Sequence, residues 1–155
     1  MFRSVLVVCV GNICRSPVGE RLLAQKLAER GAAVTVASAG LGAVVGHGVD
    51  ETAAAVAAAH GLSVEGHVAR QFGQDLAIKH DLILVMEPGH RASILERAPS
   101  LAGRVMLFDQ WVGAKGIADP YRRSREFHEI IFTRIDEAAT AWAGKLAPRN
   151  GAASS

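Results

Sequence analysis

The sequence predicts an α/β fold, a three-layer sandwich in which a central four-stranded parallel sheet is flanked by helices. Three observations carry this. Val5-Leu6-Val7-Val8 and 82-LILVM-86 are apolar runs without polar alternation, the pattern of strands buried on both faces. Segments with helical periodicity stand between the strand-like runs, and that alternation implies crossover connections and parallel strands. The chain has 155 residues, of which 50% are hydrophobic, enough to bury one core and too few for two. Residues 1–147 are therefore expected to form a single domain. In such folds ligands bind beyond the carboxyl ends of the strands.

The elements follow in chain order. After the first strand, residues 17 to 30 set Val18, Leu22, Leu23 and Leu27 on one helical face, with Gly31 at the expected stop. Val34-Thr35-Val36 is the second strand. Asp50 caps an alanine-rich helix that ends near His60-Gly61. Residues 82–86 form the third strand, Gly89 to Arg97 a short helix, and Val105-Met106-Leu107-Phe108 the fourth strand. Phe127, Ile131, Ile135, Ala138, Trp142 and Leu146 recur at intervals of three or four, which predicts a long last helix packed flat on the sheet. Beyond Pro148 the periodicity ends, and 148–155 is expected to be a flexible tail.

Composition excludes several classes of function. The formal charge is +2, and the basic residues are scattered, so no nucleic-acid partner is indicated. The apolar start ends at Gly11-Asn12 without a cleavage site, and no later run has the length of a membrane span. The expected location is the cytoplasm, without membrane insertion. Two cysteines, Cys9 and Cys14, neither staple a secreted scaffold nor build a four-cysteine zinc site. Their role is chemical. The five histidines other than His67 show no metal-ligand spacing.

Between first strand and first helix lies Cys9-Val10-Gly11-Asn12-Ile13-Cys14-Arg15, followed by Ser16 as the expected helix cap and Pro17 as the first helical residue. Such a turn can wrap its backbone N–H groups around an anion at the positive end of a helix. Gly11 and Asn12 tolerate the left-handed backbone that this requires. The guanidinium of Arg15 is placed to grip two phosphate oxygens, with the Cys9 sulfur beneath the phosphorus. That chemistry needs a thiolate. An ordinary thiol is only a few per cent ionised at neutral pH, and lowering its pKa by about 3 units takes roughly 4 kcal/mol. A helix dipole contributes about 0.3–1 kcal/mol. The loop amides, the Ser16 hydroxyl and Arg15 must supply the rest.

A thiolate that attacks phosphorus also needs a proton for the leaving group, a contribution of about 10² to 10⁴ in rate. Asp119, in "IADPYRRS", is the candidate. Pro120 stiffens its loop, and Tyr121 can line an entrance for an aromatic substrate. After giving up its proton, Asp119 can activate the water that hydrolyses a phosphocysteine.

At this point four segments together, "VCVGNICRSP", "SAG" at 38–40, "GHVARQ" at 66–71 and "DPYRRSREF", resemble the low-molecular-weight protein tyrosine phosphatases over residues 3 to 146. Other protein tyrosine phosphatases carry the Cys-x5-Arg loop late and the acid upstream, whereas here the loop comes first and the aspartate last. The resemblance implies a phosphatase loop after the first strand, with Cys9 as nucleophile, Arg15 as clamp on the phosphate and transition state, and Asp119 as acid and base. Phosphate binding falls to Val10, Gly11, Asn12, Ile13, Cys14, Arg15 and Ser16. Asn12, Ser38 and His67 match positions that hydrogen-bond around the loop, and Ser16 matches the hydroxyl that steadies the thiolate. Cys14 matches a cysteine that forms a reversible disulfide with the nucleophile. No metal or other cofactor is implied.

"SAGLGAVVGHG" lacks the tryptophan that eukaryotic members place on the pocket wall, and offers Leu41, Val44 and Val45 instead. It is similar to the bacterial branch associated with capsule and exopolysaccharide export. The implied partner is a phosphotyrosine protein, a membrane tyrosine autokinase of polysaccharide export, and the expected state is a monomer or weak dimer. Tyr121 and Leu41 are the expected substrate wall. Two other functions remain open. Arsenate reductases of related fold that use thioredoxin need a further downstream cysteine pair, absent from residues 15 to 155. A non-catalytic phosphotyrosine-binding module would be expected to have lost the nucleophile or the acid.

Overall fold

The structure, a computed structural model, describes residues 2–148. The expected tail lies, except for Pro148, outside the described residues. Four strands, β1 (Ser4–Cys9), β2 (Thr35–Gly40), β3 (Leu82–Val85) and β4 (Val105–Leu107), form one sheet in the order β2-β1-β3-β4, every pairing parallel. Helices α1 (Arg15–Glu29), α2 (Glu51–Ala59), α3 (Gln74–Ala77), α4 (Pro88–Arg97) and α5 (Arg125–Leu146) cover it, with a 3₁₀ turn at Pro99–Leu101.

Strand alternation divides the core into two layers. Val5, Val7 and Cys9 of β1, with Leu82 and Leu84 of β3, meet Leu23 and Leu27 of α1, Val56 of α2 and Ile135 of α5. Leu6, Val8, Ile83 and Val85 face the other way, onto Ala77 of α3, Ile94 of α4 and Leu101. The continuous apolar runs thus have a simple cause, since both faces of these strands are covered.

Element boundaries moved where side chains have other work. Helix α1 starts at Arg15, two residues before the expected first position, and its N-cap, Cys14, makes no side-chain cap. Ser16 is not the cap, because its hydroxyl is engaged by Cys9 and Asn12. Pro17 is tolerated because amides of a first helical turn have no intrahelical acceptor to lose. Strand β2 runs past Val36 to Gly40, through small residues without β-branched character. Helix α3 and the 3₁₀ turn are too short to leave a periodic signal. Asp50 caps α2 as expected, accepting from Ala53 N at 3.1 Å. Gly31, at φ +71°, ends α1, and Ala32 N donates to Leu27 O at 3.0 Å. Ser124 caps α5, accepting from Phe127 N at 3.2 Å. Helix α5 lies mainly along α1 and α2, and reaches the sheet where Trp142 Nε1 donates to Leu107 O at 3.2 Å.

The register Cys9↔Gly40 sets the end of β2 beside the loop that leaves β1. A Cβ at Gly40 would drive into the Val10 carbonyl and stand 3.0 Å from Asn12 N. Both are backbone atoms that cannot swing aside. Gly40→Ala is expected to cost about 1–3 kcal/mol, which corresponds to a fall in Tm of about 3–10 °C by calorimetry.

Candidate active site

The loop from Cys9 to Arg15 is held from outside by its carbonyls. Leu41 N donates to Cys9 O at 2.9 Å, Gly42 N to Val10 O at 3.0 Å, Val44 N to Gly11 O at 3.0 Å and Asp50 N to Ile13 O at 2.8 Å. His67 Nε2 bonds the remaining carbonyl, Asn12 O, at 2.7 Å. Five successive carbonyls are therefore turned outward. Among the described residues no acceptor engages the amides of Gly11 to Cys14. These amides, next to the N-terminus of α1, form a concave array of donors suited to an anion. Asn12 makes the bend, with φ +59° and its side chain fully buried.

A chain of side chains runs beneath the loop. Asn12 Oδ1 accepts from Arg70 N at 3.0 Å, which orients the amide so that Nδ2 donates to Ser16 Oγ at 2.8 Å and Ser38 Oγ at 3.0 Å. Each hydroxyl, having accepted, has a proton to give. Ser38 donates to Glu20 Oε1 at 2.6 Å, and Ser16 Oγ lies 2.9 Å from Cys9 Sγ. Ser16 N also donates to that sulfur, at 3.4 Å. The sulfur at the base of the loop is thus an acceptor of two donors.

Arg15 is 2% exposed. Its Nη1 donates to Glu87 Oε2 at 2.5 Å and to Ile117 O at 2.7 Å. Nε is buried without a hydrogen-bond partner among the described residues, and Nη2 stands 3.8 Å from Asp119 Oδ2. One side of the guanidinium is anchored through Nη1; the Nε/Nη2 edge remains available for a bidentate partner. Sequence reasoning missed Glu87. Its only signal is an acid directly after the third strand, at the same carboxyl edge of the sheet as Cys9. Asp119 comes from the loop after β4, half exposed, and its Oδ1 accepts from Tyr121 N at 3.0 Å.

A pocket of about 200 Å³ opens here, with Cys9 and Arg15 at its base and Asp119, Tyr121, Val10 and Val44 on its sides. Leu41, expected on its wall, does not line it. Its amide is bound to Cys9 O, and its side chain packs on the opposite core layer and into a separate groove with Phe72 and Ile94. Val44, which stood beside it in the sequence reading, takes the wall position. Cys14 is a buried free thiol on the same pocket. Burial, with the negative charges of Asp50, Cys9 and Asp119, pushes that thiol well above the ordinary range, so it stays protonated at neutral pH.

Comparison with known proteins agrees with this geometry. The family described as low molecular weight phosphotyrosine protein phosphatase matches residues 4–151. The low molecular weight protein-tyrosine-phosphatase Wzb of Salmonella typhimurium is 49% identical over 151 residues, 97% of this chain and 99% of that protein. The crystal structure of the tyrosine phosphatase Wzb from Escherichia coli K30 in complex with sulphate superposes with a TM-score of 0.89 at 45% identity, covering 94% of this chain and 99% of that one. The Erwinia amylovora tyrosine phosphatase AmsI gives 0.88 at 47% identity, covering 94% and 93%. With its family match over nearly the whole chain and relatives near half identity, this chain belongs to the low molecular weight protein tyrosine phosphatases.

Proposed function

We propose that this protein hydrolyses phosphotyrosine in proteins through a phosphocysteine intermediate. The observation that supports it best is the loop whose carbonyls from Cys9 to Ile13 are all bound from outside, leaving its amides from Gly11 to Cys14 without an acceptor among the described residues. A phosphate dianion fits that array, and the Nε/Nη2 edge of Arg15 meets two of its oxygens while Glu87 and Ile117 O hold the other side. The Cys9 thiolate attacks phosphorus, the P–O bond to the tyrosine breaks, and the phenolate oxygen takes a proton from the Asp119 carboxyl group. In the second step Asp119 carboxylate takes a proton from water, the water oxygen attacks phosphorus, and the S–P bond breaks to restore the thiolate. The Arg15 clamp and the amides stabilise charge on the equatorial oxygens in both steps. Asn12, Ser38 and His67 hold the loop, Ser16 holds the sulfur, and Tyr121 stacks against the substrate ring.

The proposed substrate is a membrane tyrosine autokinase of polysaccharide export, acted on from the cytoplasm. Among the described residues no helix is long and apolar enough to cross a membrane. Cys14, a free thiol on the same pocket, would capture an oxidised Cys9 as a disulfide.

The test is hydrolysis of a phosphotyrosine peptide with release of inorganic phosphate, combined with alkylation. Iodoacetate at pH 6 is expected to modify Cys9 alone and abolish hydrolysis, with inorganic phosphate protecting, because Cys14 is held as a buried thiol. Mass mapping of the adduct to Cys14, or full activity after Cys9 is alkylated, would overturn the reading.

A further inference from the structure

The turn that presents Tyr121 holds an arginine where glycine fits best. Arg123 N donates to Pro120 O at 2.9 Å, and Arg122, third in that turn, has φ +61°. Positive φ at the third position alone is the type II pattern, whose usual residues there are Gly and Asn. A long L side chain in that conformation is strained, and such strain concentrates at functional positions. Here it fixes a charge. The Arg122 guanidinium stands 5.3 Å from the centroid of the Tyr121 ring, the ring that lines the pocket above Cys9.

That charge has no internal counterion. Arg122 is exposed, and among the described residues no carboxylate lies within ion-pair distance of it. The acids near the mouth are committed: Glu87 to Arg15, and Asp119 to the Tyr121 amide and the Arg15 side. The opposite wall, Val10 and Val44, is apolar. The lip beyond Tyr121 therefore carries positive charge, in contrast to the apolar wall opposite.

We propose that Arg122 is a specificity-determining residue that selects phosphotyrosines flanked by a carboxylate side chain; this rests on the phosphatase reading above. When the phosphotyrosine ring lies against Tyr121, the peptide main chain is left at the lip, and its neighbouring side chains pass the outer side of Tyr121. A carboxylate there meets a guanidinium fork with its donors unspent. Charge complementarity of this kind raises association rate and selectivity and is screened by salt.

The experiment measures kcat/KM on two phosphotyrosine peptides, one flanked by Asp and Glu and one by Ser and Gln, with para-nitrophenyl phosphate as reference. Wild type is expected to favour the acidic peptide by about fivefold at low salt, the preference fading at about 0.5 M salt. Arg122→Gln and Arg122→Gly lose the preference and keep the para-nitrophenyl phosphate rate, Arg122→Lys retains most of it, and Arg122→Gly gains thermal stability because the turn relaxes. Equal rates on both peptides in wild type, or a parallel loss on all three substrates in Arg122→Gly, overturns the proposal. Inactivity of wild type on every substrate would instead remove the phosphatase reading beneath it.

Discussion

Cys9→Ser is expected to lower hydrolysis of para-nitrophenyl phosphate by about 10⁴-fold or more, the scale on which removal of a nucleophile acts. The expected loss is large because the proposed route attacks phosphorus with the Cys9 sulfur. A serine hydroxyl in the same place stays protonated. Ser16 Oγ and Ser16 N, which reach Sγ at 2.9 and 3.4 Å, then meet a smaller neutral oxygen. In the proposed first step Asp119 carries the proton for the leaving group, so it is not a base that could activate that hydroxyl. The phosphate cradle is made of other atoms, namely the free amides and the open edge of Arg15, so inorganic phosphate is expected to bind Cys9→Ser about as well as wild type. A calorimetric titration beside the rate assay separates the two. Loss of both would mean that the substitution had collapsed the loop, and retained turnover would exclude the covalent route.

The central strands were legible because burial on both faces writes the same apolar letters at successive positions, and Val5 to Val8 and 82–86 carry no competing polar signal. Boundaries were less legible wherever a residue serves the site in preference to its element. Ser16 reads as a helix cap from its position before Pro17, yet its hydroxyl belongs to Cys9 and Asn12. Gly40 carries no strand propensity, yet it closes β2, where the nearby Val10 carbonyl leaves no space for a Cβ.

The candidate site divides along similar lines. Cys9, Asn12, Arg15 and Ser16 lie within eight positions, and their spacing alone describes a cradle. Asp119 needed the chemistry of a leaving group to stand out from ordinary turn aspartates. Glu87 and the Ile117 carbonyl were invisible, since they lie 72 and 102 residues from Arg15 and meet it only after β3 is placed beside β1 and β4 beside β3. Before that, Glu87 is one acid between the third strand and the short helix expected from Gly89 to Arg97. Leu41 failed for a similar reason. Sequence proximity to the loop does not say on which side of the strand end a side chain emerges, and the bond from Leu41 N to Cys9 O turns it toward Phe72 and Ile94.

Asp119→Ala is expected to lower kcat/KM, which reports the first chemical step, by about 10² to 10³-fold for substrates with a poor leaving group, and far less for para-nitrophenyl phosphate. The difference follows from where the proton goes. Nitrophenolate leaves as a stable anion and needs little help, whereas tyrosine phenolate or an alkoxide must be protonated as the P–O bond breaks. The geometry suits that proposed work: Asp119 Oδ2 lies 3.8 Å from Arg15 Nη2, beside the oxygens the clamp would hold, and the half-exposed side chain lines the pocket. The same residue serves the second step, so in the variant water attack also slows, and a nitrophenyl substrate should show a burst of phenolate followed by slow turnover as phosphocysteine accumulates. Rapid quench and mass spectrometry of the acid-trapped chain would detect that adduct on Cys9. An equal loss on all leaving groups, without a burst, would assign Asp119 to holding Tyr121 N and the Pro120 turn, and the proton would have to come from elsewhere.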